Sequence, residues 1–125
     1  DPTSYNSRRA SWRGGLLDMS GPFGWDKLPP NLWPYVQAKL ADFESMTWNQ
    51  ILIEGKKQHH SREVYKLSKE ARKRLAEIQQ DDVDGLVSLS LAGKERVWGI
   101  LEEGALKILW WDPNHQVYPS KKKHT

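Results

Sequence analysis

Over residues 86–118 the chain reads LVSLSLAGKERVWGILEEGALKILWWDPNHQVY, and apolar and polar positions alternate in short runs separated by glycine-containing turns. Val87, Leu89 and Leu91 alternate with Ser88 and Ser90, the two-residue period of a strand with one buried face. Ala92-Gly93-Lys94 is a turn, residues 96–101 a second strand, Glu102-Glu103-Gly104 a hairpin signal and residues 105–111 a third strand. Strict alternation in that third strand puts Leu106, Ile108 and Trp110 on one face and Lys107, Leu109 and Trp111 on the other. These segments predict an antiparallel meander covered on one face at least, with its chemistry at the polar edges and far end.

Upstream, the period changes to that of helices. Trp33, Val36, Leu40 and Phe43 predict an amphipathic helix over 31–45, with Asn31 as its N-cap and Pro34 in its first turn. Thr47 and Gln50 fit a capping box for a short helix over 48–54, which Gly55 ends. A basic connector, Lys56-Lys57-Gln58-His59-His60, leads into a strand over 61–66. Ser68 caps the clearest helix, residues 69–80, whose inner stripe is Ala71, Leu75 and Ile78. Residues 1–15 are polar, hold Arg8, Arg9 and Arg13 and show no period, so they read as a flexible arm whose end Trp12 anchors. Residues 16–125 read as one α+β domain, with 16–27 a turn-rich loop carrying Phe23 and Trp25.

Composition narrows the function classes. The 125 residues carry 38% hydrophobic and 28% charged side chains, and no apolar run reaches the roughly 20 residues of a membrane span. No signal-peptide pattern opens the sequence and no cysteine occurs, so thiolate chemistry and disulfides are excluded and a cytoplasmic location is expected. A net charge of +3 permits nucleic acid as a partner. Seven tryptophans are expected mostly in the core.

Few residues suggest chemistry. His59 and His60 are adjacent, so a strand sends them to opposite faces, and neither has a metal-ligand spacing; no metal or cofactor is expected. His115 lies just beyond the third strand, three residues before Tyr118, as either a structural loop histidine or a general acid or base. Asp112 in Asp-Pro-Asn is expected to cap its turn. Lys69, Arg72 and Lys73 on the helix, Lys94 and Arg96 at the hairpin and Lys121 and Lys122 in the tail could form one phosphate-binding surface, or an ordinary solvated helix face and tail.

Taken in order, KLSKEARKRLAEI, LSLAGKERVWGI, EEGALKILWW and DPNHQVYP resemble the RelE/ParE toxin superfamily: a basic helix, an L-x-G-x-x-R-hydrophobic strand pair, a hairpin and a closing strand with His and Tyr. More narrowly, the GPFGW segment and the LWWDP-x-H-x-VYP ending are similar to actinobacterial proteins of unassigned function. The superfamily resemblance implies helices packed on a small twisted antiparallel sheet. For RelE-type members it also implies metal-independent mRNA cleavage, commonly on the ribosome, and an antitoxin partner. By position, Arg96 would stabilise the phosphate, His115 and Tyr118 would form the acid/base and orienting pair, and Lys69, Arg72 and Lys73 would bind the RNA backbone. The sixty residues before the matching helix and the less basic ending depart from that pattern. A non-catalytic module binding nucleic acid or protein on the same fold is the alternative. A third reading is a partner-gripping protein with exposed Trp12, Phe23 or Trp25.

Overall fold

The computed structural model describes residues 2–119. Five strands form one mixed sheet in the order β1-β5-β4-β3-β2: β1 (Ser11–Arg13), β2 (His60–Glu63), β3 (Gly85–Ser90), β4 (Arg96–Glu102) and β5 (Ala105–Asp112). Helix α1 (Trp33–Phe43) and a π-type turn (Gln50–Glu54) lie between β1 and β2, and helix α2 (Lys69–Glu77) lies between β2 and β3. The fold is α+β, as expected from the switch between helical and strand periods.

The meander forms where alternation and turn residues predicted it. At its tight hairpin Glu103 and Gly104 both have positive φ, 53° and 85°, the backbone of a two-residue turn whose twist matches that of the flanking strands. Both faces of the sheet are covered. On one, Val36 and Phe43 of α1, with Trp48 and Ile51, pack on Val87, Leu89, Val97, Leu106, Ile108 and Trp111. On the other, Ala71 and Leu75 of α2, with Phe23 and Val117, pack on Leu86, Trp98, Ile100, Leu109 and Trp110.

The expected side of the two central tryptophans is corrected. Trp98 pairs with Trp110 but Gly99 pairs with Ile108, so Leu109 is an extra residue in β5. This bulge reverses the alternation beyond it: Trp110 joins the α2 face and Trp111 the α1 face. The bulged carbonyl is not orphaned, because Asp18 N and Trp25 Nε1 donate to Leu109 O at 2.9 and 3.0 Å. Opposite the bulge, a Cβ on Gly99 would lie 2.6 Å from Lys107 O, so the β4–β5 approach requires glycine there.

Several other boundaries shift. The segment read as a flexible arm contains a 3₁₀ turn (Pro2–Ser7) and β1, which runs parallel to β5 with Trp12 beside Leu106. Its single apolar residue gives no period, yet Trp12 packs edge-on against Phe43 and Trp48 at 6.4 and 5.8 Å, and that contact anchors the strand. Parallel β1 also makes the sheet mixed rather than wholly antiparallel. Asn31 is not an N-cap; it lies inside a 3₁₀ turn (Pro30–Leu32) that feeds α1 without a side-chain cap. The capping box forms as expected, Thr47 N donating to Gln50 Oε1 at 2.8 Å and Gln50 N to Thr47 Oγ1 at 3.2 Å. Ser68 Oγ accepts from Ala71 N at 3.1 Å to cap α2, which ends at Glu77, before Gln79 takes a φ of 59°.

One buried ion pair joins distant parts of the chain. Asp18 accepts two hydrogen bonds from Arg74 at 2.8 Å, one from Trp110 Nε1 at 2.9 Å and one from Gly21 N at 3.2 Å. The Arg74 guanidinium holds its carboxyl down at about 2, against desolvation that pushes the other way.

Candidate functional site

On the α2 side the apolar packing gives way to polar residues at one end of the sheet. Strand alternation places His60 and Arg62 of β2 on the face of Leu86, opposite Ser88 and Leu86 respectively. The next strand contributes Ser88 and Ser90, paired with Trp98 and Arg96 of β4. Arg96 in turn pairs with Asp112 at the end of β5. Strand β2, with an imidazole and a guanidinium, and strand β4, with the Arg96 guanidinium, therefore flank a strand that offers Ser88 and Ser90 beyond Leu86 on this side.

The loop after β5 completes the cluster, and Asp112 holds it there. Its carboxylate is 1% exposed. Oδ1 accepts from Gln116 N at 2.8 Å, and Oδ2 accepts from Val117 N and from Trp98 Nε1, both at 3.0 Å. The expected turn cap is thus also a clamp between the loop and β4. Within the loop His115 adopts φ 55°, the left-handed region that few non-glycine residues occupy. Val117 O accepts from Ser68 N at 2.8 Å, which fixes the far end of the loop to the start of α2.

Charges in the cluster act on one another. Burial lowers the pKa of His60, and the cations Arg62 and Arg96 and the His115 ring lower it further. Burial also lowers that of His115, with Arg96, Arg62 and Lys94 adding to the effect and Asp112 opposing it. Both shifts favour the neutral ring, with Asp112 opposing the shift at His115. Arg96 Nη1 donates to Gly93 O and Glu95 O at 2.8 and 2.9 Å, while its buried Nε has no partner among the described residues. The Arg62 guanidinium lies 4.2 Å over the Tyr118 ring, an arrangement that fixes a flexible cation.

The sequence-predicted site residues separate into groups. Arg96 acts on His115, whose loop is held by Asp112, the register partner of Arg96. Tyr118 joins only through Arg62, and its ring is partly buried against the α2-face core. Lys94, in the β3–β4 turn, is exposed and acts on His115. Lys69, Arg72 and Lys73 are exposed on α2, with Arg72 Nε also donating to Leu67 O at 3.2 Å. Lys121 and Lys122 lie outside the described residues. Phe23 and Trp25, proposed above as exposed grips, are 5% and 2% exposed; they close the two cores, and Trp12 is half-buried with Nε1 donating to Glu44 Oε2 at 2.8 Å.

Sequence reasoning passed over His60 and Arg62. The signal was present: they are two residues apart in a short strand, so they share a face. His59 goes to the opposite side, where it is buried edge-on to Phe43 and its Nδ1 accepts from Ser90 N at 3.1 Å. Among the described residues no three His, Asp or Glu side chains gather as a metal-ligand set. None of the helices described is long and apolar enough to cross a membrane.

No known family model, curated protein or solved structure matches this chain. The cluster must be read from its chemistry. Imidazoles whose pKa is lowered, beside guanidiniums and at an edge that Lys94 makes more positive, suit an anion that carries a transferable proton nearby. A phosphodiester with a neighbouring hydroxyl meets that description.

Proposed function

We propose that the chain is a RelE-like, metal-independent endoribonuclease that cleaves mRNA in the cytoplasm, on the ribosome or free, under the control of an antitoxin. The observation that carries this reading is the loop of His115 held by Asp112, the register partner of Arg96, at one end of the sheet. An imidazole can exchange the proton of a ribose 2′-OH or of the leaving 5′-oxygen, and a guanidinium can offset the charge that grows on phosphorus. One feature of the fold supports it further. Lys69, Arg72 and Lys73 lie exposed on α2, available to a polyanion backbone. Tyr118, fixed beneath Arg62, is assigned an orienting role rather than a proton-transfer one.

A non-catalytic RNA-binding module on the same fold is the second reading, favoured by the partial burial of Tyr118. Labelled mRNA incubated with the purified protein in EDTA, with and without ribosomes, separates the two. Cleavage that His115→Ala abolishes is the expected result. RNA retained on the protein but left intact under both conditions would establish the binding module instead.

A further inference from the structure

We propose that His60 is the general base of this site and His115 its general acid, a two-histidine pair gathered near Arg96. The proposal deepens the ribonuclease reading and rests on it. His60 stands on β2, across the serine positions of β3 from Arg96 on β4 and on the same face of the sheet. His115 lies in the loop that Asp112, the register partner of Arg96, holds through Gln116 N, and that loop reaches β2 where Arg62 covers the Tyr118 ring. Two imidazoles gathered near one guanidinium supply what a displacement at phosphorus needs, a proton acceptor for the entering oxygen and a donor for the leaving oxygen. The left-handed backbone of His115 adds to this, since a non-glycine residue stays there only when its surroundings fix it, and such positions gather at functional sites.

The roles follow from the groups that surround each ring. His60 faces Arg62 on its own strand, Arg96 on β4 and His115, and it also engages the Lys57 backbone; among the described residues no carboxylate acts on it. His115 faces Arg96, Arg62 and Lys94, but also Asp112, whose charge favours the imidazolium. The ring without a carboxylate therefore accepts the proton and the ring beside one donates it. His60 takes the proton of the 2′-OH as the 2′-oxygen bonds to phosphorus. The bond from phosphorus to the 5′-oxygen then breaks, and that oxygen receives the proton of His115. The products are a 2′,3′-cyclic phosphate and a free 5′-hydroxyl, and proton exchange with water restores both rings.

The test compares wild type, His60→Gln and His115→Gln on two probes: a labelled ribo-oligonucleotide, and the same oligonucleotide with sulfur in place of the bridging 5′-oxygen at the cleaved bond. Each variant is expected to lose roughly 10²–10⁴-fold on the ordinary probe. A thiolate leaves without protonation, so the sulfur probe should restore His115→Gln and leave His60→Gln impaired. The acid limb of the pH–rate profile should vanish in His60→Gln and the alkaline limb in His115→Gln. Wild-type rates in His60→Gln, or sulfur rescue of His60→Gln, would overturn the assignment while leaving the ribonuclease reading standing. Failure of the wild type to cleave either probe, with or without ribosomes, would remove that reading and this proposal with it. Should His60→Gln not fold, NMR titration of the His60 ring provides the check. Its pKa should rise in His115→Gln, where a neighbouring positive charge is lost, and an unchanged titration would overturn the pairing.

Discussion

Replacing Asp112 by Asn tests whether one buried carboxylate holds the loop of the site. The carboxylate accepts three hydrogen bonds, one at Oδ1 and two at Oδ2. Asparagine keeps the shape but has a single accepting oxygen. The least costly orientation keeps the Oδ2 pair and turns the amide NH2 toward Gln116 N–H, two donors facing each other across a 2.8 Å contact. An unsatisfied buried donor costs about 1–3 kcal/mol, and each remaining bond falls from charge-assisted to neutral strength, a loss of about 1 kcal/mol. Burying an amide rather than a carboxylate returns part of this, so the net loss should be about 2–3 kcal/mol. For a domain of this size that lowers Tm by about 10 °C. Thermal melting at pH 7 measures it, and hydrogen exchange locates it, with the Gln116 and Val117 amides losing protection before the β4–β5 ladder does. A Tm within about 2 °C of wild type, with both amides as protected as before, would refute the clamp.

Three further outcomes follow from the same geometry. Asp18, with its folded pKa depressed from 3.8 to about 2, contributes about 2 kcal/mol that is complete above pH 4 and lost as pH falls toward 2. Asp18→Asn should abolish that acid transition and cost about 3–5 kcal/mol by stranding Arg74, as read by chemical denaturation across pH. His59 has its pKa lowered chiefly by burial, so its stabilisation is present above the unfolded value of 6.5 and declines as pH drops through the folded one. Melting temperatures between pH 7 and 5 should fall less steeply in His59→Gln than in wild type. Gly99→Ala must force a Cβ against Lys107 O and the Leu106 side chain, and should cost about 1–3 kcal/mol, seen as a lower urea midpoint at unchanged slope.

How much of this was legible depended on whether the signal was local. The meander was readable because Val87, Leu89 and Leu91 alternate with serines and because Glu103-Gly104 tolerates two positive φ angles. The Leu109 bulge was not, since LKILWWD alternates acceptably in either register and the deciding residue, Gly99, lies on the neighbouring strand. Strand β1 holds one apolar residue, Trp12, and no three-residue segment can display a period; its pairing with β5 and its ring contacts create it. Asp18 looked like one polar residue in a turn-rich loop because its partner Arg74 is 56 positions away. At the candidate site Arg96, His115 and Asp112 were legible from their places beside turns. His60 and Arg62 were missed because the adjacent His59 and His60 were weighed only as metal ligands, whereas the two-residue spacing of His60 and Arg62 was the stronger signal.

The location of the site has a simple geometric cause. Helix α2 has nine residues and so runs about 14 Å, whereas the eight residues of β5 extend about 26 Å. One short helix with Phe23 and Val117 covers Trp98, Ile100 and Trp110 but leaves the row of Ser90, Arg96 and Asp112 at the rim of the cover. A rim position half-excludes water, which is enough to depress the imidazoles of His60 and His115. Stability and chemistry should therefore separate along this face. Substitutions at His60, Arg62 and His115 remove charge from a half-exposed rim and should shift stability little. Asp112, buried at the boundary, serves both the core and the loop, so its loss should be felt in both.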